Sequence, residues 1–184
     1  MKLKLTIAFF TSILGHCYSQ IVINEYSAAN MNSTADNYGE FEDWVELYNT
    51  GGTDVDITGW YLSDKVTKPL KNLLTGGIVP AGGHLKVICS GRDEFSGGNL
   101  HTSFKLTQTK PEEILISDAG GILVDQIQMI PCQLGHSRGR TTDGAATWAL
   151  FTSPTIGAPN ANAKQEYATK PLFDIPSGIQ GGNI

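Results

Sequence analysis

The chain alternates short runs of β-forming residues with glycine pairs, and this alternation argues against most fold classes. The turn pairs are Gly51-Gly52, Gly76-Gly77, Gly82-Gly83, Gly97-Gly98, Gly120-Gly121 and Asp143-Gly144. The β-type runs cover residues 21–27, 43–49, 55–63, 84–90, 113–118, 122–130 and 147–151. None of these runs repeats apolar residues at helical spacing for more than one turn. Seven or so short strands with frequent turns predict an all-β fold, a β-sandwich.

Residues 1–19 have the pattern of a secretory signal peptide. Lys2 and Lys4 precede an apolar run that ends at Leu14, and small or polar residues follow up to a cleavage position before Gln20. Lipidation at Cys17 is a weaker alternative, because His16 stands where a lipoprotein needs a small residue. We therefore expect a secreted or cell-surface protein with no membrane span after signal removal.

The charge of the remaining chain limits its partners. Without Lys2 and Lys4 it has 11 basic and 18 acidic residues, a net charge of −7. Non-specific nucleic-acid binding depends on neutralising phosphates with Lys and Arg. No nucleic-acid partner is therefore expected.

Two cysteines, Cys89 and Cys132, remain after removal of the signal peptide. An even number of cysteines in an oxidising compartment favours a disulfide. Two small buried thiols are the alternative, because the sequence does not give the Cα separation that a bridge needs.

The run "FEDWVELYN" assigns side chains to the two faces of a strand, since alternate residues point in opposite directions. Phe41, Val45 and Leu47 share the face that we predict to be core. The opposite face carries Glu42, Trp44, Glu46 and Tyr48. Burying unpaired acids is costly, so Glu42 and Glu46 are predicted at the surface, with both aromatic rings partly exposed or covered by a loop.

Five segments in order carry a resemblance to a known family. They are "IVINEYSAAN", "EDWVELYNTGGTDVDITGWYLSD", "VPAGGHLKVICSG", "LHTSFKLTQTKPEEILISDAGGILVDQI" and "HSRGRTTDGAATWALFTSPTIGAPN". Together they resemble the lamin tail domain in its bacterial secreted form, over roughly residues 21–160. The resemblance implies an immunoglobulin-like β-sandwich and a modular, non-catalytic role. It supplies no catalytic residue for this chain.

The residues themselves give few candidates for chemistry. Glu42 and Glu46 lie about 13 Å apart along a strand, too far for a glycosidase pair. "DNYGEFED" and "TDVD" could supply oxygen ligands for calcium, but neither has EF-hand spacing, so no cofactor is expected. Arg138 and Arg140 are interpreted as anchors of the closing loop, pairing with Asp143 or Asp125.

Trp44, Tyr48 and Glu46 are the candidate ligand-binding residues, because exposed aromatic rings stack on sugars and anchor interfaces. The expected partner is a protein or carbohydrate at the cell surface. No catalytic or metal-binding residue is assigned.

We expect residues 20–160 to form the sandwich and residues 161–184 to be a linker that leads into a further domain. The predicted function is a non-catalytic extracellular binding or spacer module of a larger secreted protein. The alternative is an accessory domain of a secreted hydrolase or kinase-like enzyme whose catalytic part lies beyond residue 184.

Overall fold

The computed structural model describes residues 20–109 and 112–163. The predicted signal peptide, and the linker from residue 164 onward, lie outside the described residues. The described residues form strands, turns and loops and contain no helix. Accordingly, this part of the chain contains no helix suited to spanning a membrane.

Thirteen strands are present in the described part of the chain, most of them short. They are β1 (Ile21–Ser27), β2 (Asp43–Asn49), β3 (Val55–Asp56), β4 (Tyr61–Ser63), β5 (Asn72–Leu73), β6 (Ile78–Val79), β7 (His84–Cys89), β8 (Glu94–Ser96), β9 (Asn99–His101), β10 (Glu113–Ser117), β11 (Leu123–Gln128), β12 (Ser137–Arg140) and β13 (Trp148–Phe151).

The strands form two principal sheets. The larger has seven strands in the order β13-β12-β1-β2-β7-β9-β8, and the smaller has four in the order β11-β10-β4-β5. β3 and β6 form a separate pair. Neighbouring strands are antiparallel except for β7 and β9, which are parallel. The all-β sandwich predicted from the sequence is confirmed.

The apolar core combines side chains from both principal sheets. The seven-stranded sheet contributes Ile23, Val45, Leu47 and Val87, and the four-stranded sheet contributes Leu62, Ile114 and Ile116. None of these seven side chains has measurable exposure. The prediction that Val45 and Leu47 belong to the core is therefore confirmed.

The predicted run 55–63 is two strands rather than one. Gly59 has φ +85°, a left-handed conformation that glycine adopts without strain, and the chain turns there between β3 and β4. The sequence did not predict β5, β6, β8, β9 or β12. Each is only two to four residues long, too short for a recognisable alternation of apolar and polar residues.

Phe41 is not a core residue, contrary to the prediction. Its side chain is half exposed, because β2 begins two residues later, at Asp43, and strand alternation does not extend back to Phe41. Glu42, predicted at the surface, is half-buried, and both its carboxylate oxygens accept hydrogen bonds from Lys105.

Two segments cover the outer face of the seven-stranded sheet. Residues 28–42, here called the covering loop, reach β7 through a hydrogen bond from Lys86 Nζ to Thr34 Oγ1 (2.8 Å). Residues 152–160, here called the strap, reach β1 and β2 through Thr155 and Gly157. The outer face of β2 therefore lies beneath other parts of the chain.

Candidate functional site

Glu25 and Glu46 form the centre of a buried polar site on the outer face of the large sheet. They are directly paired in the register of β1 and β2, and neither has exposed surface. The register shifts between Ile23 and Glu25, a bulge that leaves Asn24 as the extra residue. The bulge brings Asn24 and Glu25 into the same polar cluster.

Three donors bind the Glu25 carboxylate. Ser137 Oγ on β12 donates to Glu25 Oε1 (2.5 Å), and the backbone N–H of Thr155 donates to the same oxygen (3.1 Å). The Thr155 hydroxyl donates to Glu25 Oε2 (2.6 Å). Glu25 therefore connects the neighbouring strand to the strap.

The Glu46 carboxylate is held in a similar way from the other side. The backbone N–H of Gly157 donates to Glu46 Oε2 (2.5 Å), and Asn24 Nδ2 donates to Glu46 Oε1 (3.4 Å). The strap therefore places one backbone donor on each of the two paired carboxylates.

Asp143 is the third carboxylate of the cluster. Its Oδ1 accepts hydrogen bonds from Asn24 Nδ2 (3.0 Å) and from the backbone N–H of Asn160 (2.9 Å). His84 Nε2 lies 3.2 Å from the same oxygen. Asn24 therefore bridges Glu46 and Asp143, and Asn160 fixes the end of the strap.

Gly139 on β12 provides the space that Glu25 occupies. A Cβ at this position would lie 3.0 Å from Glu25 Cγ, 3.1 Å from Asn160 Nδ2 and 3.1 Å from Asn24 O. A side chain here would push against the carboxylate and the end of the strap. The close approach of these groups therefore favours glycine at this position.

Burial changes the acidity of all three carboxylates. It raises the pKa of Glu46 to about 7, and the facing Glu25 charge adds to this rise. Burial also raises the pKa of Glu25, against the opposing effect of the Ser137 and Thr155 hydrogen bonds. For Asp143 burial acts in the same direction, but hydrogen bonds from Asn160 and Asn24, together with the adjacent His84, outweigh it and lower the pKa. The cluster therefore favours a proton on the Glu25–Glu46 pair and a charge on Asp143.

Arg140 fixes the bulge of β1 from the inner side. Its Nη2 donates to Asp125 Oδ2 (2.9 Å), and its Nε donates to the backbone oxygen of Ile23 (2.8 Å). The same Asp125 oxygen accepts the N–H of Ile23 (2.8 Å). The predicted pairing of Arg140 with Asp125 in the closing part of the chain is confirmed.

The predicted ligand-binding residues are not an exposed platform. Trp44 is fully buried, in register between Ser27 and Ile88, and Glu46 lies beneath the strap. Tyr48 is half-buried against His84, with ring centroids 4.9 Å apart. The expectation that Glu46 lies at the surface is wrong, because the strap covers it. Trp44 is covered rather than partly exposed, which is the second of the two alternatives for this ring.

Cys89 and Cys132 are both free thiols. Cys89 is fully buried in the core, and burial raises its pKa. Cys132 is half-buried, and its thiol donates to the backbone oxygen of His136 (3.3 Å). The structure therefore has the two-thiol alternative rather than the bridge.

The acids considered as calcium ligands are engaged with protein donors. Asp36 Oδ1 accepts the N–H groups of Tyr38 and Glu40, and Asp56 Oδ1 accepts the N–H of Thr58. Within residues 20–109 and 112–163, no group of three or more His, Cys, Asp or Glu is arranged to hold a metal ion. The expectation of no cofactor, with calcium as the lesser alternative, stays a prediction.

The sequence did not identify Asn24, Glu25, Asp143 and Thr155 as one cluster. One signal was present in "IVINEYS": the core positions change phase, from Ile21 and Ile23 to Tyr26, and two polar residues lie between. A phase change of this kind is typical of a bulge.

Two sheets packed around one apolar core define an immunoglobulin-like β-sandwich module. The model of the family described as Lamin Tail Domain matches residues 16–130, well over half of the chain, and the chain belongs to this family. No curated protein matches the chain. β12 and β13 lie beyond the matched residues, but they belong to the same sheet: β12 pairs with β1, and β13 pairs with β12.

Proposed function

We propose that this chain is a non-catalytic extracellular module that binds a partner or spaces the parts of a larger secreted protein. The observation that carries the proposal is the state of Glu25 and Glu46. They are the one directly facing carboxylate pair of the large sheet, yet both are buried and accept donors from the strap. A carboxylate pair that works as acid and base must reach a substrate.

The energetic role of the cluster supports the same proposal. A buried carboxylate is tolerated when hydrogen bonds replace its water, and here these bonds attach the strap to the sheet. The cluster thereby stabilises a closed module. Membership of an immunoglobulin-like family is consistent with such a role.

The non-catalytic part of the proposal is tested by comparing turnover in the wild type and in the double variant Glu25→Gln/Glu46→Gln. Chromogenic glycoside, phosphodiester and ester substrates are the probes. We expect no turnover above background, since neither carboxylate reaches solvent. A turnover that the wild type has and the folded double variant lacks would contradict the proposal.

The extracellular part is tested by expression of the full chain in a bacterial host. We expect export, with an N-terminus at Gln20, because residues 1–19 have the charge and apolar pattern of a signal peptide. Retention in the cytoplasm with Met1 intact would contradict it.

A further inference from the structure

One loop carries two lysines that have no side-chain partner in the described part of this acidic protein. Of the eight described basic residues, six have a recorded side-chain interaction: Lys71, Lys86, Arg92, Lys105, Arg138 and Arg140. Lys65 and Lys68 have none among the described residues. Both lie in residues 65–70, here called the basic loop, and all six residues of this loop are exposed.

The basic loop also carries apolar surface. Val66 and Leu70 are 49% and 47% exposed, and Pro69 lies between the second lysine and Leu70. Lys68, Pro69, Leu70 and Lys71 line a depression of ≈ 560 Å³. Cations beside aliphatic side chains form a surface suited to a ligand that is both acidic and apolar.

The turn between β10 and β11 extends this surface. A Cβ on Gly121 would lie 3.3 Å from Leu70 Cδ1, so the turn is in contact with the loop. The next residue, Ile122, is 67% exposed, the highest value among the large apolar residues described. The apolar surface therefore continues from Leu70 onto Ile122.

The base of the loop is fixed, so the surface is preorganised. The Ser63 hydroxyl lies 2.7 Å from the backbone oxygen of Lys68 and accepts the N–H of Lys65 (3.0 Å). At the other end, Lys71 Nζ donates to both oxygens of Asp64 and lies 4.7 Å from the centre of the Phe104 ring. A rigid loop loses little entropy when it binds.

We propose that the basic loop and the β10–β11 turn form a docking site for an extended acidic segment of a partner protein, one that also carries aliphatic side chains. Charge complementarity selects the acidic partner, because Lys65 and Lys68 are exposed and neither forms an ion pair with another of the described residues. The extended form is suggested by β5, which begins directly after Lys71 and is one of the two edge strands of the four-stranded sheet, where an extended segment can add. This proposal rests on the proposed role as a binding module and names the partner of that role.

The test is an NMR titration of the ¹⁵N-labelled chain from residue 20 to residue 184. The probes are a peptide of alternating Glu and Val and its counterpart of alternating Lys and Val. We expect the Glu–Val peptide to shift the amide signals of residues 65–73 and 120–123 and the Lys–Val peptide to leave them unchanged. Unchanged signals with both peptides would overturn the proposal.

Matched variants separate a specific site from general attraction. Lys68→Gln and Lys105→Gln each remove one charge, but Lys105 already pairs with Glu42. Lys68→Gln should weaken peptide binding by about tenfold, and Lys105→Gln by less than about twofold. Ile122→Ser should weaken it more than Ile78→Ser, whose side chain is exposed on β6. Equal losses within either pair would overturn the proposal.

Sedimentation of the free chain tests a different occupant. Self-association that Lys68→Gln abolishes would assign the surface to a second copy and would overturn the peptide assignment. Failure of docking leaves the tests of turnover and export untouched. Turnover that depends on Glu25 and Glu46 would instead contradict the proposed function while leaving peptide binding measurable.

Discussion

Glu25 and Glu46 face each other across β1 and β2 with neither side chain exposed, and the strap supplies a backbone donor to each. Like charges directly opposite in a sheet destabilise it. The pair is tolerated because hydrogen bonds surround it and because its pKa values are raised, which favours a proton on the pair. The cluster therefore holds the strap against the sheet. Changes to its residues should alter the free energy of unfolding and the exchange of the strap amides.

Removing the Glu46 carboxylate should destabilise the fold. Glu46→Ala leaves the Gly157 N–H without its acceptor and opens a cavity, so the free energy of unfolding should fall by about 2–4 kcal/mol in urea denaturation. Glu40→Ala is the matched control, because Glu40 is 54% exposed and pairs with Arg92 at the surface. Its cost should be under about 1 kcal/mol. Equal costs would mean that Glu46 is not held by the strap.

Stability should decrease as the solution becomes alkaline. The pKa of Glu46 is about 7 in the folded chain, above its ordinary value of 4.5. Between these values the folded state binds more protons than the unfolded chain, so the stabilisation present at acidic pH is lost as pH rises through about 7. Asp43, whose pKa burial raises to about 6, acts in the same direction. Asp143 acts in the opposite direction, but only at pH values below its ordinary value of 3.8.

We therefore expect the free energy of unfolding to be larger at about pH 5 than at about pH 8, by on the order of 1–3 kcal/mol. Glu46→Gln should reduce the difference, because an amide does not titrate. The groups that face Glu46 are Glu25 on β1, His84 and Lys86 on β7, and Asp143. If Glu46→Gln keeps the full pH dependence of the wild type, Glu46 is not the source of that dependence.

A side chain at Gly139 should disturb the cluster without touching the core. Gly139→Ala places a methyl group 3.0 Å from Glu25 Cγ and should lower the free energy of unfolding by about 1–3 kcal/mol. Gly52→Ala is the control, since nothing lies within 4 Å of its Cβ position and its φ is not left-handed. Thermal melting of both variants gives the comparison. A neutral Gly139→Ala would argue against close approach at this position.

The two thiols should differ in reactivity. Cys132 is half-buried and Cys89 fully buried, so iodoacetamide should modify one thiol in the native protein and both in denaturant, counted by mass spectrometry. Burial raises both pKa values, so the native reaction should be slow. A mass with no alkylation in denaturant would indicate a disulfide instead.

Strand alternation predicted the faces of β2 correctly but not their exposure. Val45 and Leu47 are core residues, and Glu46 is on the opposite face, as the period of two requires. The same pattern does not predict what covers that face, because the partner of Glu46 is Gly157, 111 residues further along the chain. Periodicity identifies which residues share a face, and it carries no information about a distant segment that lies over it.

The resemblance in five ordered segments gave the fold, and the family match confirms it. It did not give the site, since the cluster joins side chains and backbone groups from β1, β2, β7, β12, the turn that carries Asp143 and the strap. A backbone donor such as the N–H of Gly157 does not depend on the side chain, so the residue type does not reveal it. The bulge at Asn24 could be read from the sequence, because the apolar positions of β1 change phase there. A phase change alone does not show which other side chains lie next to the bulge.

Amide hydrogen exchange at Thr155 and Gly157 tests the central claim most directly, because both N–H groups belong to a strap segment that contains no strand. If Glu25 and Glu46 hold the strap, both amides should exchange at least about 100-fold more slowly than the exposed amide of Gly52. Glu46→Ala should accelerate Gly157 and leave the amides of β7 protected. Exchange at Thr155 and Gly157 as fast as at Gly52 in the wild type would contradict the claim that the buried carboxylates fasten the strap to the sheet.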